Sequence, residues 1–183
     1  MVNQMKSSLQ ALILLIFSFC SLNVAAEYEE PTDRQAQFMA VYLLHFANFI
    51  EWPTTVSADE GQFNICSYAS GTVNMYIREL AGEKINNDSR INVLEAPSDE
   101  DLAQCQIVFF DTKNISLFHK IKQKTQERPI LFVSDHQGFI QQGGTMEYFI
   151  EGNKLRFAVN ITLAKNTGLI LSSKLLRIAK VVE

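Results

Sequence analysis

The hydrophobic pattern changes period along the chain. Residues 9–19 are apolar except for Gln10 and Ser18, and they follow a start whose only charge is Lys6. The run closes on Val24-Ala25-Ala26, with small or branched residues three and one before a cut after Ala26. A charged start, an apolar stretch and a small-residue exit predict a secretory signal peptide. A membrane anchor would need about 18–20 apolar residues, and Glu27, Glu29 and Glu30 follow at once. Lipidation at Cys20 is disfavoured by bulky Phe19 before it. Cleavage leaves residues 27–183, a length suited to one domain with its own core.

The next segment is helical, from Pro31 in its first turn to Glu51, where Trp52-Pro53 stops it. One stripe at helical spacing is Phe38, Val41/Tyr42, His45 and Phe49; a second is Met39, Leu43, Phe46 and Ile50. Apolar residues over most of the circumference imply deep burial or contact with another chain. Strands are then predicted at 63–68, 90–94, 107–110 and 130–133, separated by helices at 72–80, 99–104 and 115–126. Short apolar strands between helical stretches predict a parallel sheet covered on both faces. Strands at 145–150 and 155–161 flank Glu151-Gly152-Asn153-Lys154, the signature of an antiparallel hairpin. Ile161, Ala164, Gly168, Leu171, Leu175, Ile178 and Val182 then alternate at spacings of three and four. That seam predicts a closing helix packed on the sheet. The expected fold is therefore α/β: a single three-layer domain, a mostly parallel sheet, a C-terminal antiparallel hairpin and a closing C-terminal helix.

A net charge of −4 argues against nucleic acid as a partner, because phosphate neutralisation needs a basic surface. Lys165, Lys174, Arg177 and Lys180 gather near the end as the solvated face of a helix would. Cys66 and Cys105 remain after cleavage, an even pair in an oxidising compartment. They form either a disulfide or two separate buried thiols. A bond closing this loop of about 40 residues would contribute roughly 3–4 kcal/mol on the loop-entropy account.

Catalytic patterns are missing. There is no GxxxxGK[ST] phosphate loop, no GxGxxG, no GxSxG and no CxxC. His45, His119 and His136 fall in no metal-ligand spacing, and no motif requires a cofactor. Gly143-Gly144 before a strand reads as a turn. Asp111 and Asp135 each follow an apolar strand, where ligand crevices of open α/β sheets lie, so they could line a pocket. Aspartate is equally a good strand-exit residue.

Several segments resemble the YfiR-like periplasmic proteins. They are Tyr42-Leu43-Leu44-His45-Phe46-Ala47-Asn48-Phe49-Ile50-Glu51-Trp52-Pro53, Phe63-Asn64-Ile65-Cys66, Cys105-Gln106-Ile107-Val108-Phe109-Phe110 and Ile130-Leu131-Phe132-Val133-Ser134-Asp135. The most specific are Asn153-Lys154-Leu155-Arg156-Phe157-Ala158-Val159-Asn160, Gly168-Leu169 and Ser172-Ser173-Lys174-Leu175-Leu176.

The resemblance implies a regulator rather than an enzyme. It would repress an inner-membrane diguanylate cyclase through the cyclase's periplasmic domain, lowering cyclic di-GMP and biofilm formation. An OmpA/Pal-like outer-membrane lipoprotein would sequester it, and it would be a homodimer. Cys66 and Cys105 match one family disulfide; the second family pair, expected near Ile140 and Glu147, is missing. Partner anchors are expected among Leu169, Ile170 and Leu176, which lie off the seam, and among Met39 and Leu43 on the second stripe. The alternative is a periplasmic small-molecule sensor without a cyclase partner.

Export gives the first prediction. Intact-mass measurement on protein from the periplasm should place the mature N-terminus at Glu27. Retention of residues 1–26, or a diacylated Cys20, would overturn it.

Overall fold

A computed structural model describes residues 30–53, 61–85, 88–126 and 128–183. The signal segment 1–26, with Cys20 and the start at Glu27, lies outside the described residues. Helix α1 (Asp33–Phe49) opens with a capping box: Gln35 N–H donates to Thr32 Oγ1 at 3.4 Å and Thr32 N–H to Gln35 Oε1 at 2.8 Å. Thr32 is thus the cap, and Pro31 precedes the helix rather than starting it. Ile50 leaves the helix in extended geometry and forms strand β1 (Ile50–Glu51) ahead of Trp52-Pro53.

Strand β2 (Gln62–Tyr68), helix α2 (Gly71–Arg78), strand β3 (Arg90–Glu95), a 3-10 turn (Asp101–Gln104) and strand β4 (Cys105–Phe110) follow. A second 3-10 segment (Thr112–Leu117) leads into helix α3 (Phe118–Lys124), strand β5 (Leu131–Ser134) and the hairpin of β6 (Met146–Glu151) and β7 (Lys154–Asn160). The chain ends in helix α4 (Ile161–Asn166), strand β8 (Ile170–Leu171), helix α5 (Ser173–Leu176) and strand β9 (Lys180–Val182). The main sheet has the order β3-β2-β4-β5-β6-β7-β9. Its pairings are parallel except for β6 with β7, so the hairpin is antiparallel as its turn requires. Among the described residues no helix is long and apolar enough to cross a membrane.

Side-chain alternation divides the core into two layers. Ile65, Ile107, Phe109, Leu131 and Val133 point to one face, where α1 and α2 deliver Met39, Leu43, Phe46, Val73 and Ile77. Cys66, Val108, Phe110 and Phe132 point to the other, meeting Leu102, Phe118, Ile121 and Phe139. Under α1, Phe46 meets Phe157 edge-on at 5.1 Å and stacks beside Tyr148 at 6.1 Å.

The closing helix is a correction. Residues 161–182 form two short helices and two short strands instead. Asn160 Oδ1 caps α4 by accepting from Leu163 N–H at 2.9 Å. Gly168, at φ +79°, ends it: Gly168 N–H bonds Lys165 O and Leu169 N–H bonds Ala164 O, a Schellman closure. Gly168 also abuts Pro53, whose Cγ would lie 3.4 Å from an added Cβ. β8 then pairs antiparallel with β1, and Ser172 starts α5 by accepting from Leu175 N–H. The three-four seam is coincidental across these breaks.

Cys66 and Cys105 form a disulfide with a Cα–Cα distance of 5.8 Å. Strict alternation back from Ile107 would put Cys105 on the face opposite Cys66. A bulge supplies the missing residue: Asn64 pairs with Cys105, but Ile65 pairs with Ile107. The bulged Gln106 replaces the lost ladder contact with its side chain, accepting from Asn64 N–H at 2.6 Å. Its carbonyl accepts from Trp52 Nε1 at 3.3 Å, and Asn64 Nδ2 donates to Gln104 O at 2.9 Å.

Two measurements check this arrangement. Thiol labelling of Cys66 and Cys105 under non-reducing denaturation should find neither free, and Cys66→Ser should cost about 2–5 kcal/mol. Gln106→Ala strands the Asn64 amide and should cost about 1–3 kcal/mol in urea unfolding.

Candidate functional site

The strand order reverses between β2 and β4, because β2 leads outward to β3 and the chain then returns to β4 on the other side. In an open α/β sheet the crevice beyond the strand ends at such a point is the default ligand site. Here it is bounded by Ser70-Gly71 after β2 and Asp111-Thr112 after β4.

Asp111 ties the two sides of this crevice together. It is 4% exposed. Its Oδ2 accepts from Ser70 N–H and Ser70 Oγ, both at 2.8 Å. Its Oδ1 accepts from Asn114 N–H at 2.8 Å and Asn114 Nδ2 at 2.7 Å. Four donors occupy the carboxylate, which also caps the 3-10 segment behind it. Asp111 acts here as a strand-exit cap whose acceptors the chain's own loops engage. Asp135 sits at the end of the neighbouring strand, where its Oδ1 accepts from Thr112 Oγ1 at 3.0 Å. The structure therefore brings Asp111 and Asp135 to one sheet edge, joined through Thr112.

The rim is equally committed. Ser67 Oγ donates to Asn74 Oδ1 at 2.8 Å, Asn74 Nδ2 donates to Glu95 Oε2 at 2.6 Å, and Arg78 pairs with Glu95 at 3.2 Å. Burial, with the charges of Asp99 and Asp101 after it, raises the Tyr68 phenol, which donates to Pro97 O at 2.9 Å. Burial, then Tyr42 and Asp135, pushes the Tyr148 hydroxyl well above its ordinary value. It therefore stays protonated as the donor to Met39 O at 3.0 Å. No group of three metal-ligating side chains occurs among the described residues.

Where the resemblance anticipates a second cystine, Glu147 acts instead. Its carboxylate accepts from Gly138 N–H and Ile140 N–H, each at 3.1 Å. A salt-free carboxylate clamp thus joins the same two places in the chain without a covalent bond. The adjoining Gly143-Gly144 is a turn, and Gly144 is pressed on Phe139, which leaves no room for a Cβ.

The expected partner anchors separate into core and surface. Met39 and Leu43 face the sheet, so the second stripe of α1 is its buried side. Leu169 is 1% exposed, and Leu176 packs half-buried against the same core. Met39, Leu43 and Leu169 are core residues with almost no exposed surface, while Leu176 keeps part of its side chain at the surface. Ile170 is 62% exposed. The first stripe of α1 is divided: Tyr42 and Phe49 pack partly buried against the core, while Phe38 and Val41 are exposed. Ala36, Ala40 and Ala47 on the buried side are the available signal, since small residues let a helix approach a sheet closely.

Residues 36–180 match the family model DUF4154, YfiR/HmsC-like. The chain belongs to the YfiR/HmsC-like family. No match was found among curated proteins. An ABC domain in complex with L-Trp from Streptococcus pneumonia is similar at TM-score 0.49 and 11% identity, covering 81% of this chain and 60% of that one. A conserved domain protein from Vibrio cholerae O1 biovar eltor str. N16961 is similar at TM-score 0.46 and 9% identity, covering 67% and 55%. The chain thus spans just over half the length of each of these structures.

In this YfiR/HmsC-like protein the two carboxylates should act as clamps. Asp111→Ala should cost about 2–3 kcal/mol and Glu147→Ala about 1–3 kcal/mol, read as shifts of the urea midpoint. A loss below about 0.5 kcal/mol at Asp111, the range of an ordinary surface change, would remove its structural role.

Proposed function

We propose that this protein is a periplasmic regulatory binding protein. It represses a membrane diguanylate cyclase, or a similar membrane sensor, by binding the sensor's periplasmic domain, and so lowers cyclic di-GMP. Family membership across residues 36–180 carries the reading. The chemistry of the molecule supports it: the polar groups at the sheet's switch point are spent on one another, so action depends on surface rather than on a reactive side chain. A disulfide between Cys66 and Cys105 suits an oxidising compartment.

Binding of this kind draws on a few apolar anchors that become buried in the complex. Ile170 fits that role. It stands exposed on β8, opposite Glu51 of β1, on a two-strand ribbon outside the main sheet. Ile178 is also exposed, on the segment that follows α5. An OmpA/Pal-like lipoprotein that covered the same anchors would release the sensor.

Deleting the gene should raise cyclic di-GMP in the host. A complementing copy with Ile170→Asp should remain folded and fail to restore the low level, whereas Leu169→Asp should fail by loss of stability, because a buried unpaired charge is strongly destabilising. Circular dichroism of the purified variants separates the two failures. Unchanged cyclic di-GMP in the deletion strain, with no sensor or cyclase recovered in pull-downs from native membranes, would reject the regulatory role.

A further inference from the structure

Residues 152–182 carry Lys154, Arg156, Lys165, Lys174, Arg177 and Lys180 and not one Asp or Glu, in a chain whose net charge is −4. Such a run would be the solvated side of a long closing helix, but that helix does not form. The fold sorts the cations instead. Arg156 pairs with Glu151 at 3.5 Å, and Lys154 stands opposite Glu151 in the hairpin. Lys180 is in register with Ala158 and lies over the Phe149 ring at 5.5 Å, on the sheet face away from α1. Lys165, Lys174 and Arg177 are exposed and have no carboxylate partner among the described residues.

These last cations share the α1 side of the sheet with exposed apolar residues. Ala164 and Leu175 anchor α4 and α5 in the core layer that α1 covers. Leu175 faces inward, and Lys174, Arg177 and Ile178 around it are exposed, Ile178 by 55%. Val181 is in register with Val159 of that same layer, so it points to the same side. Because β9 is the outermost strand, Val181 stays 46% exposed. Basic and branched apolar side chains thus stand together along the β9 rim of the domain.

We propose that this rim docks on a bilayer surface containing anionic phospholipid. The uncompensated charge is positive and complements lipid phosphates. Ile178 and Val181 enter the headgroup boundary, while Lys174 and Arg177 extend their apolar stems over it and carry their charges to the phosphates. No bond fixes the heads of Lys174 and Arg177. The contact therefore depends on charge density rather than on fixed geometry, which suits a fluid surface better than a matched protein face. Neither signal suffices alone, so adsorption is weak and salt-sensitive. The docking rests on the periplasmic setting proposed above, where it keeps the protein beside a membrane sensor. Purified protein and lipid suffice to test it, so its failure leaves the regulatory reading standing.

Protein purified from the periplasm should co-sediment at about 50 mM salt with phosphatidylcholine vesicles containing about one-third phosphatidylglycerol, and should stay in solution with phosphatidylcholine alone. Raising the salt to about 500 mM should release it, since the Debye length falls below about 5 Å. Lys174→Glu combined with Arg177→Glu should weaken binding at least about tenfold, and Ile178→Ser about threefold. The charge-matched pair Lys84→Glu and Lys120→Glu, one ahead of β3 and one on α3, should change binding less than about twofold. Unchanged melting temperatures show that the variants are folded. No binding to anionic vesicles at low salt, equal binding to neutral ones, or a loss from the Lys84 and Lys120 pair as large as that from the Lys174 and Arg177 pair would each overturn the proposal. Capture by a sensor's periplasmic domain without vesicle binding would assign the rim to a protein partner and overturn it as well.

Discussion

Everything in this fold leans on β4, which is buried along its whole length from Cys105 to Phe110. A strand with no exposed side must supply both core layers, and alternation lets it do so: Ile107 and Phe109 face the α1 side, Val108 and Phe110 the α3 side. The exception is deliberate. Without the bulge at Gln106, the Cys105 thiol would enter the layer that Cys66 does not occupy. One extra residue at the strand's start reconciles a cystine with a parallel register. The bulge depends on a side-chain amide from Gln106 and on Trp52 arriving from the other end of α1. Helix, strand and disulfide are thereby coupled at one place.

Most of the sheet was legible because its strands are short apolar runs with nothing else they could be. Ile130 to Val133 or Ile107 to Phe110 can hardly form anything but buried strand between polar helices. The hairpin followed from Gly152 and its polar neighbours. What misled was periodicity without attention to its interruptions. Spacings of three and four from Ile161 to Val182 mimic a helix, but Asn166-Thr167-Gly168 is a stop signal and Ser172 a fresh start. The pattern of spacing was satisfied by residues that belong to four separate elements. On α1 the period was right and the side was reversed. Two apolar stripes compete there, and only the alanines distinguish the one that meets the sheet.

The candidate site was legible in position and not in role. Asp111 and Asp135 do stand at neighbouring strand ends. Position alone cannot say whether a carboxylate waits for a ligand or is already consumed, because the donors come from elsewhere: Ser70 lies in the loop after β2. Glu147 teaches the same lesson from the other direction. In sequence nothing marks the turn before β6 as constrained, yet a carboxylate bonded to two backbone amides holds it. Charge-assisted hydrogen bonds of this kind hold geometry without a redox step.

These clamps bear on how such a molecule can act. At the switch point the Asp111 carboxylate is bonded by Ser70 and Asn114, so this side chain ties the loops after two strands together. What remains for recognition is the outer surface. That surface is uneven: lysines gather on α3 and basic residues on the C-terminal segment, while α1 has no charge between Arg34 and Glu51. Part of that uncharged stripe serves the chain's own core, since Tyr42 and Phe49 pack partly buried against it. Burial on one side and exposure on the other thus divide the work of this helix: Met39, Leu43 and Phe46 fill the core, while Phe38 and Val41 stay at the surface.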